Sequence, residues 1–138
     1  MATILDGKNL RDKIFKELKS QLDLMPVKPA LAVILAGNNP ASRIYVDNKR
    51  KTAKNLGINS VIAEFSENVT EQELIDKINE LNNDKNITAI LVQLPLPAHI
   101  NKDNVINAIL PEKDVDGLTY YNSGRLFSSG KPYVYPCT

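Results

Sequence analysis

Three polar side chains that could do chemistry together are spaced for one face of a helix. Ser42, Tyr45 and Lys49 stand at i, i+3 and i+7 in a stretch that opens with Asn39-Pro40, so we expect them to project side by side. A phenol offers a flat surface to a heteroaromatic ring, and a lysine taken partly out of water can transfer protons or polarise a leaving group. The alternative is an ordinary solvated helix face.

A second candidate is Gln93, which ends an apolar strand just before a proline-rich turn. The run Thr88 to Val92 is typical of a strand covered on both faces, and Gln93 precedes Leu94-Pro95-Leu96-Pro97. Each proline fixes its own φ and favours extended geometry at the preceding residue, so Gln93 should be held in one direction. Ligands of open α/β sheets bind at this carboxyl edge. A bond from Gln93 to nearby backbone is the alternative.

Two carboxylates one residue apart lie in a turn further along the chain. The segment Lys113-Asp114-Val115-Asp116-Gly117 ends in Asp116-Gly117, a good turn pair, and one carboxylate is expected to face a cleft. We favour hydrogen bonding to an amino-heterocycle over a metal site, because no further ligand stands at a useful spacing. His99 is interpreted as a surface or structural histidine rather than a catalytic base, and Cys137 has no neighbour in sequence that would make it a nucleophile.

Composition restricts the class of protein. The 138 residues are 43% hydrophobic and 24% charged, which fits one globular domain with a substantial core. A formal net charge of +1 without a basic stripe does not suggest nucleic-acid binding. A single cysteine, the lack of a signal-peptide core and the lack of a run long enough to span a membrane predict a cytoplasmic protein with no membrane contact.

Local signals predict an alternating order of helices and strands. The helices are bounded by caps, prolines or glycines, and the strands are short apolar or alternating runs. The predicted helices are Gly7–Leu24, Pro40–Leu56, one that follows the Thr70-Glu71-Gln72-Glu73 capping box, and Lys102–Leu110; the predicted strands are Ala30–Ala36, Ser60–Phe65 and Thr88–Gln93. We therefore predict an α/β fold, a three-layer α-β-α domain with a mainly parallel sheet.

Other patterns concern the organisation of the chain. An apolar stripe is predicted for the first helix, where Leu10, Ile14, Leu18 and Leu22 recur every four residues. From Pro111 onward, prolines and glycines are expected to break the chain before any long element develops. No Gly-x-Gly-x-x-Gly occurs, so a reaction with a dinucleotide would need a second domain. We expect residues 1–138 to be one domain of a longer protein, because the closing segment looks unfinished.

Motifs spread along the chain match one enzyme family in the family's order. They are Val33 to Gly37, Pro40-Ala41-Ser42-x-x-Tyr45-Val46-x-x-Lys49-x-Lys51, Gly57-Ile58, Val92-Gln93-Leu94-Pro95-Leu96-Pro97, Lys113-Asp114-Val115-Asp116-Gly117 and Pro136-Cys137-Thr138. With these motifs the chain resembles the N-terminal half of the bifunctional methylenetetrahydrofolate dehydrogenase/methenyltetrahydrofolate cyclohydrolase family. The resemblance implies that 1–138 is a folate-binding catalytic domain and that the family's C-terminal Rossmann domain, which binds NAD(P), is absent.

The resemblance also implies roles for individual residues. Tyr45 matches the tyrosine that stacks on the folate ring, Lys49 the catalytic lysine, and Gln93 the glutamine that bonds to that lysine and tunes it. The resemblance implies that these three residues form the catalytic set. Asp116 matches the aspartate that holds the amino-pyrimidine edge of the pterin. The substrate-binding set is completed by the Leu94-Pro95 backbone and Ser42.

In this family, hydride transfer from 5,10-methylenetetrahydrofolate to NADP or NAD is followed by hydrolysis to 10-formyltetrahydrofolate, within one-carbon metabolism. The resemblance implies that NADP binds outside this chain, so the chain alone should lack dehydrogenase activity and hydrolyse weakly. The resemblance implies that the intact enzyme is a homodimer, and this piece is expected to be monomeric or to associate differently. The alternative is a stand-alone, non-catalytic module that binds folate or a partner.

Overall fold

A computed structural model describes residues 5–128 and 130–136. Within them the elements are α1 Gly7–Leu24, β1 Ala30–Ala36, α2 Pro40–Leu56, β2 Asn59–Phe65, α3 Glu71–Asn83, β3 Ala89–Gln93, α4 Lys102–Asn107 and α5 Tyr120–Phe127. The three strands are parallel and form one sheet in the order β2-β1-β3. The predicted α/β class with a parallel sheet is confirmed. The interpretation of Cys137 concerns a residue outside the described ranges.

Local capping sets most of the helix boundaries. Asp6 and Asn39 each accept a hydrogen bond from the backbone amide three residues on. At the start of α3, Thr70 accepts from the Glu73 amide while the Glu73 carboxylate accepts from the Thr70 amide. These bonds satisfy amides that a helix leaves unpaired. Gly57, with φ 81°, ends α2 in the left-handed conformation that glycine adopts without strain.

The main core lies on one face of the sheet. Alternate residues of β1 and β3 meet the inner sides of α3 and α4, and the most deeply buried include Ile34, Leu74, Ile78, Ile90 and Val105, each 0% exposed. A smaller cluster on the other face packs strand residues against α2; it consists of Val33, Leu35, Val46 and Leu91. The sheet is thus covered by helices on both faces, as parallel sheets require.

The segment after β3 departs from the prediction. Helix α4 ends at Asn107 rather than at Leu110. The prolines and glycines after Pro111 predict loops, yet α5 occupies Tyr120–Phe127. The Asn107 side chain accepts a hydrogen bond from the Tyr120 amide, and the Thr119 side chain caps the helix. The periodicity of the sequence does not reveal these bonds, which stabilise the start of α5.

Most of the apolar stripe of α1 is open to solvent. Leu10, Ile14 and Leu18 are 59%, 42% and 40% exposed, and Leu22 is the buried residue of this helix. The periodicity is therefore real, but the stripe contributes little to the core of the described chain. None of the helices in residues 5–128 and 130–136 has the length and apolar character to cross a membrane.

Candidate active site

Strand pairing brings Gln93 to the carboxyl edge of the sheet, beside α2. Gln93 lies opposite Leu35 in the β1–β3 ladder. Its Oε1 accepts a hydrogen bond from Lys49 Nζ at 3.0 Å, and its Nε2 donates to the Leu94 carbonyl at 2.8 Å. Because the amide is bonded through both its oxygen and its nitrogen, the oxygen is held toward the ammonium group of Lys49.

The start of α2 also contacts the proline-rich turn. Ser42 Oγ donates to the Leu94 carbonyl at 3.4 Å, and Ser42 is 2% exposed. The Leu94–Pro95 peptide bond is cis. Ser42, Leu94, Gln93 and Lys49 are thus linked in one chain of hydrogen bonds. In this structure Ser42 supports the turn, and substrate contact by its hydroxyl stays a prediction.

Tyr45 lies one turn before Lys49 and is 61% exposed. The two side chains line part of a groove of about 460 Å³, a volume typical of small-molecule sites. Most of the remaining lining is apolar and comes from Pro29, Ala30, Leu31, Ala53, Leu56, Ile58, Ala89 and Val115. Because β1 begins at Ala30 and β3 at Ala89, the groove extends from Tyr45 and Lys49 toward the amino ends of these strands. Gln93, Ser42 and Asp116 are not among the described residues that line it. The surface that faces them is the exposed phenol of Tyr45, against which a flat heteroaromatic ring can lie with the ammonium group of Lys49 nearby.

Asp116 is half-buried and close enough to Lys49 for their charges to interact. Burial raises the pKa of the Asp116 carboxyl above its ordinary value; the charge of Lys49 opposes this rise, and the charge of Asp114 adds to it. Within the described residues, no hydrogen bond from the protein reaches the Asp116 carboxylate. Its oxygens are therefore available to N–H groups of a ligand.

The other carboxylate of the motif points inward. Asp114 is 1% exposed, and its Oδ2 accepts hydrogen bonds from the Thr119 amide at 2.8 Å and from Asn122 Nδ2 at 3.1 Å. The backbone of this motif also forms an isolated parallel β-bridge with β3, in which the Ile90 amide donates to the Lys113 carbonyl at 2.7 Å. The family resemblance singled out Asp116 as the ligand-binding carboxylate, but no local sequence signal predicted the buried structural role of Asp114.

Lys113 is a second residue whose role sequence reasoning missed. Its Nζ donates to the carbonyls of Leu81, Asn82 and Asp84 at 3.0, 2.8 and 2.9 Å. These carbonyls end α3, which has no basic residue in its own last turn. Lys113 therefore neutralises the negative end of that helix from a distant part of the sequence.

His99 contributes to structure at a distance from these groups. Its Nε2 bonds to the Val69 carbonyl at 2.8 Å, in keeping with its interpretation as structural. Within the part of the chain that the structure describes, no cluster of three or more His, Cys, Asp or Glu side chains is arranged to hold a metal ion.

Comparison with known proteins identifies the family to which the chain belongs. A family model described as the catalytic domain of tetrahydrofolate dehydrogenase/cyclohydrolase matches residues 5–116. The chain belongs to the tetrahydrofolate dehydrogenase/cyclohydrolase family. The matched range includes Lys49, Gln93 and Asp116, and the family predicted from the sequence motifs is confirmed.

Curated relatives of this folate family align along the full chain. The bifunctional protein FolD of Ligilactobacillus salivarius is 50% identical over 141 residues, which are 100% of this chain and 49% of the relative. That of Wolbachia sp. subsp. Brugia malayi is 46% identical over 142 residues, 100% of this chain and 48% of the relative. The chain therefore spans about half the length of the curated relatives it matches.

Solved structures of the family have the same fold over this half. The bifunctional enzyme FolD from Campylobacter jejuni matches with a TM-score of 0.94 at 44% identity, over 98% of this chain and 49% of that one. The Trypanosoma brucei methylenetetrahydrofolate dehydrogenase-cyclohydrolase, solved with NADP and an inhibitor, matches with a TM-score of 0.92 at 35% identity, over 99% and 48% of the two chains.

Proposed function

We propose that this chain is the folate-binding catalytic domain of an enzyme that oxidises 5,10-methylenetetrahydrofolate to 5,10-methenyltetrahydrofolate with NADP and hydrolyses the product to 10-formyltetrahydrofolate. The observation that carries the proposal is the hydrogen bond from Lys49 to Gln93 beside the exposed ring of Tyr45. Family membership supports the reaction class, and the position of Gln93 at the carboxyl edge of the parallel sheet supports a small-molecule substrate.

In the proposed complex, the folate ring stacks on Tyr45 and its amino-pyrimidine edge meets Asp116. A carboxylate accepts N–H donors strongly, and the Asp116 carboxylate makes no hydrogen bond within the described protein that a ligand would have to break. The backbone of Leu94-Pro95 and the side chain of Ser42 complete the proposed binding set. The half-buried setting of Asp116 makes its bonds to a ligand stronger than they would be in open water.

The proposed hydrolysis needs a group that positions water and moves a proton. A water molecule adds to the bridge carbon and the bond from that carbon to N5 breaks, so the formyl group stays on N10. One proton of the water ends on N5 and the other is released to solvent. Lys49 Nζ, held by Gln93 at 3.0 Å, is placed to orient the water and to transfer the proton.

The turn after β1 does not fit the phosphates of a dinucleotide. The turn after β1 has one glycine, Gly37, and the Asn38 amide beside it already donates to the Glu67 carboxylate at 3.3 Å. A phosphate would need free amides there and would be repelled by that charge. NADP supplies a hydride acceptor where it binds; we place its site outside this chain. The chain alone is thus proposed to lack dehydrogenase activity and to hydrolyse weakly, because a site beside the exposed ring of Tyr45 excludes water poorly.

Three further parts of the proposal concern the intact protein rather than the site. A role in one-carbon metabolism, with links to purine and amino-acid biosynthesis, follows from the proposed reaction. A cytoplasmic location stays a prediction from the sequence. A homodimer for the intact protein and a monomer for this chain also stay predictions, which analytical ultracentrifugation of both would check.

Calorimetric titration of the 138-residue chain with 5-formyltetrahydrofolate tests the site. We expect saturable binding that is lost in Tyr45→Ala and in Asp116→Ala. Tyr120→Ala is the matched control, because Tyr120 is 67% exposed and lies on α5, outside the groove lining. No binding to the unsubstituted chain would contradict the proposal for this chain, and repeating the titration on an extended chain would show whether the second half is required.

The same preparations distinguish a catalytic domain from a binding module. Loss of 5,10-methenyltetrahydrofolate is followed by its absorbance, with and without the protein. A hydrolysis rate above the uncatalysed one that disappears in Lys49→Met supports the enzyme. Folate binding with no added hydrolysis, even in the extended chain, would favour the non-catalytic alternative.

A further inference from the structure

We propose that Asp114 and Asn122 are positioning residues that hold the turn bearing Asp116, and so aim its carboxylate at the ligand. The inference rests on the proposed function in one respect, because that function names a folate as the ligand of Asp116. The observations concern how the described residues orient a carboxylate to which none of them donates a hydrogen bond.

The Asn122 side chain joins three segments of the chain. It is 0% exposed, and its Nδ2 donates to the Pro111 carbonyl at 2.8 Å and to Asp114 Oδ2 at 3.1 Å. Its Oδ1 accepts from the Tyr133 amide at 3.0 Å. Both N–H groups and the oxygen of the Asn122 side-chain amide are therefore hydrogen-bonded. One side chain thereby links the residues before the motif, the motif itself and the C-terminal tail.

Asp114 fixes the turn on its N-terminal side. Its carboxylate is held by Thr119 and Asn122, and its carbonyl accepts from the Gly117 amide at 3.2 Å. That last bond closes a four-residue turn in which Asp116 is the third residue. The direction of the Asp116 side chain is therefore set by a backbone turn whose first residue is immobilised in the core.

The C-terminal tail fixes the same turn on its other side. Gly117 has φ 68°, and a Cβ at this position would lie 3.0 Å from the Val134 carbonyl oxygen and 3.0 Å from the Pro136 nitrogen. The tail therefore packs directly on the residue after Asp116. Because Asn122 holds this tail through the Tyr133 amide, removal of Asn122 releases the turn from both sides.

A purely packing role is a poor explanation for this pair. A carboxylate and an amide that are 1% and 0% exposed are costly to bury unless they are fully hydrogen-bonded. Their bonds reach residues on both sides of Asp116, while the Asp116 carboxylate receives none from residues 5–128 and 130–136. The arrangement therefore orients Asp116 through its backbone and leaves its oxygens free.

Four variants of the 138-residue chain test the proposal. Both side-chain bonds of Asp114 fall on Oδ2, so the single amide oxygen of Asp114→Asn can accept both, whereas Asp114→Ala accepts neither. Asn122→Ala removes the other member of the pair. Thr70→Ala is the control, because it removes the capping box of α3, a side-chain bond outside this network.

Binding of 5-formyltetrahydrofolate is the first measurement. We expect affinity to fall at least about tenfold in Asp114→Ala and Asn122→Ala, since a misdirected carboxylate loses its ligand bonds, and to stay within about threefold of the parent in Asp114→Asn and Thr70→Ala. Folded Asp114→Ala and Asn122→Ala variants that bind like the parent would overturn the proposal. So would a folded Asp114→Asn variant that loses binding, because geometry would then not be what Asp114 supplies.

Amide hydrogen exchange without ligand keeps the proposal separate from the folate assignment. We expect faster exchange at Gly117 in Asp114→Ala and Asn122→Ala, with Ile78 in the core of α3 unchanged as an internal reference. If the parent binds no folate but this pattern holds, the proposed function fails and the positioning role stands. If Gly117 exchanges as in the parent, the positioning role is wrong whatever the ligand. Should both alanine variants fail to fold, exchange at Gly117 in Asp114→Asn, expected to match the parent, decides the question.

Discussion

Lys49 and Gln93, 44 residues apart in the sequence, are joined by a hydrogen bond of 3.0 Å from Nζ to Oε1. We expect Lys49→Met to lower the rate of methenyltetrahydrofolate hydrolysis by about 10²–10⁴-fold, the usual contribution of a group that transfers a proton. Gln93→Leu should lower it less, and the double variant should be no slower than Lys49→Met, because the glutamine acts through the lysine.

The control for this cycle is Lys54→Met, on the same helix and exposed to solvent. It should hydrolyse at the parent rate. If the effects of Lys49→Met and Gln93→Leu simply multiply in the double variant, the two residues act independently and the hydrogen bond is incidental.

Asp116 is expected to reduce the stability of the fold at neutral pH. Burial raises the pKa of its carboxyl in the folded chain, so the folded chain retains this proton to higher pH than the unfolded chain does. The stability that this retained proton adds to the fold is fully present at low pH. It is lost as the pH rises from 3.8, the ordinary pKa of the carboxyl, through the raised pKa of the folded chain. Asp116→Asn, which stays neutral, should therefore have a higher free energy of unfolding than the parent at neutral pH.

Urea unfolding at neutral pH and again below pH 3.8, the ordinary value for this carboxyl, measures that difference. The advantage of Asp116→Asn should disappear at the lower pH, where the parent carboxyl is also neutral. Asp47→Asn, an exposed position on α2, is the control and should change the free energy of unfolding little at either pH. A parent that is more stable than Asp116→Asn at neutral pH would contradict the argument.

Lys113 should stabilise the fold by closing α3. Its Nζ donates to three carbonyls at the end of that helix, at 2.8 to 3.0 Å. We expect Lys113→Met to lower the free energy of unfolding by about 2–3 kcal/mol, from lost hydrogen bonds and lost charge at the helix end. Lys113→Arg should not restore it, because a planar guanidinium group cannot point at three converging carbonyls as an ammonium group does.

Chemical denaturation of these variants beside Lys85→Met checks the prediction. Lys85 is exposed and lies just after α3, so its replacement should change the free energy of unfolding by less than about 0.5 kcal/mol. Equal stabilities for Lys113→Met and Lys85→Met would mean that the three bonds contribute nothing net.

Two leucines that share a helical apolar pattern should differ sharply in their contribution to stability. Leu74 on α3 is 0% exposed, whereas Leu10 on α1 is 59% exposed. Leu74→Ala should lower the free energy of unfolding by about 2–5 kcal/mol, and Leu10→Ala by about 0.5 kcal/mol or less. Thermal or urea unfolding measures both. A large loss for Leu10→Ala would show that α1 is covered in solution in a way the described chain does not reveal.

The sequence by itself determined the elements whose boundaries depend on neighbours a few residues away. The caps at Asp6, Asn39 and Thr70 and the left-handed Gly57 are local bonds or local backbone geometry, so the predicted helices began and ended close to the observed residues. The parallel order followed because buried apolar strands alternate with helices of sufficient length. The motifs also determined the family, since they lie along the whole chain in one order.

Tertiary structure alone decided how the site residues meet. The family resemblance implied a bond between Gln93 and Lys49, but the bond itself depends on the β1–β3 register and on how α2 packs across it, neither of which is a local property. The same is true of α5, whose start is held by Asp114 and Asn107, and of Asp114 itself, which differs from Asp116 only by which way the turn faces. Local bonds are encoded within a few residues, whereas the partner of a side chain across the fold exists only after the sheet has formed.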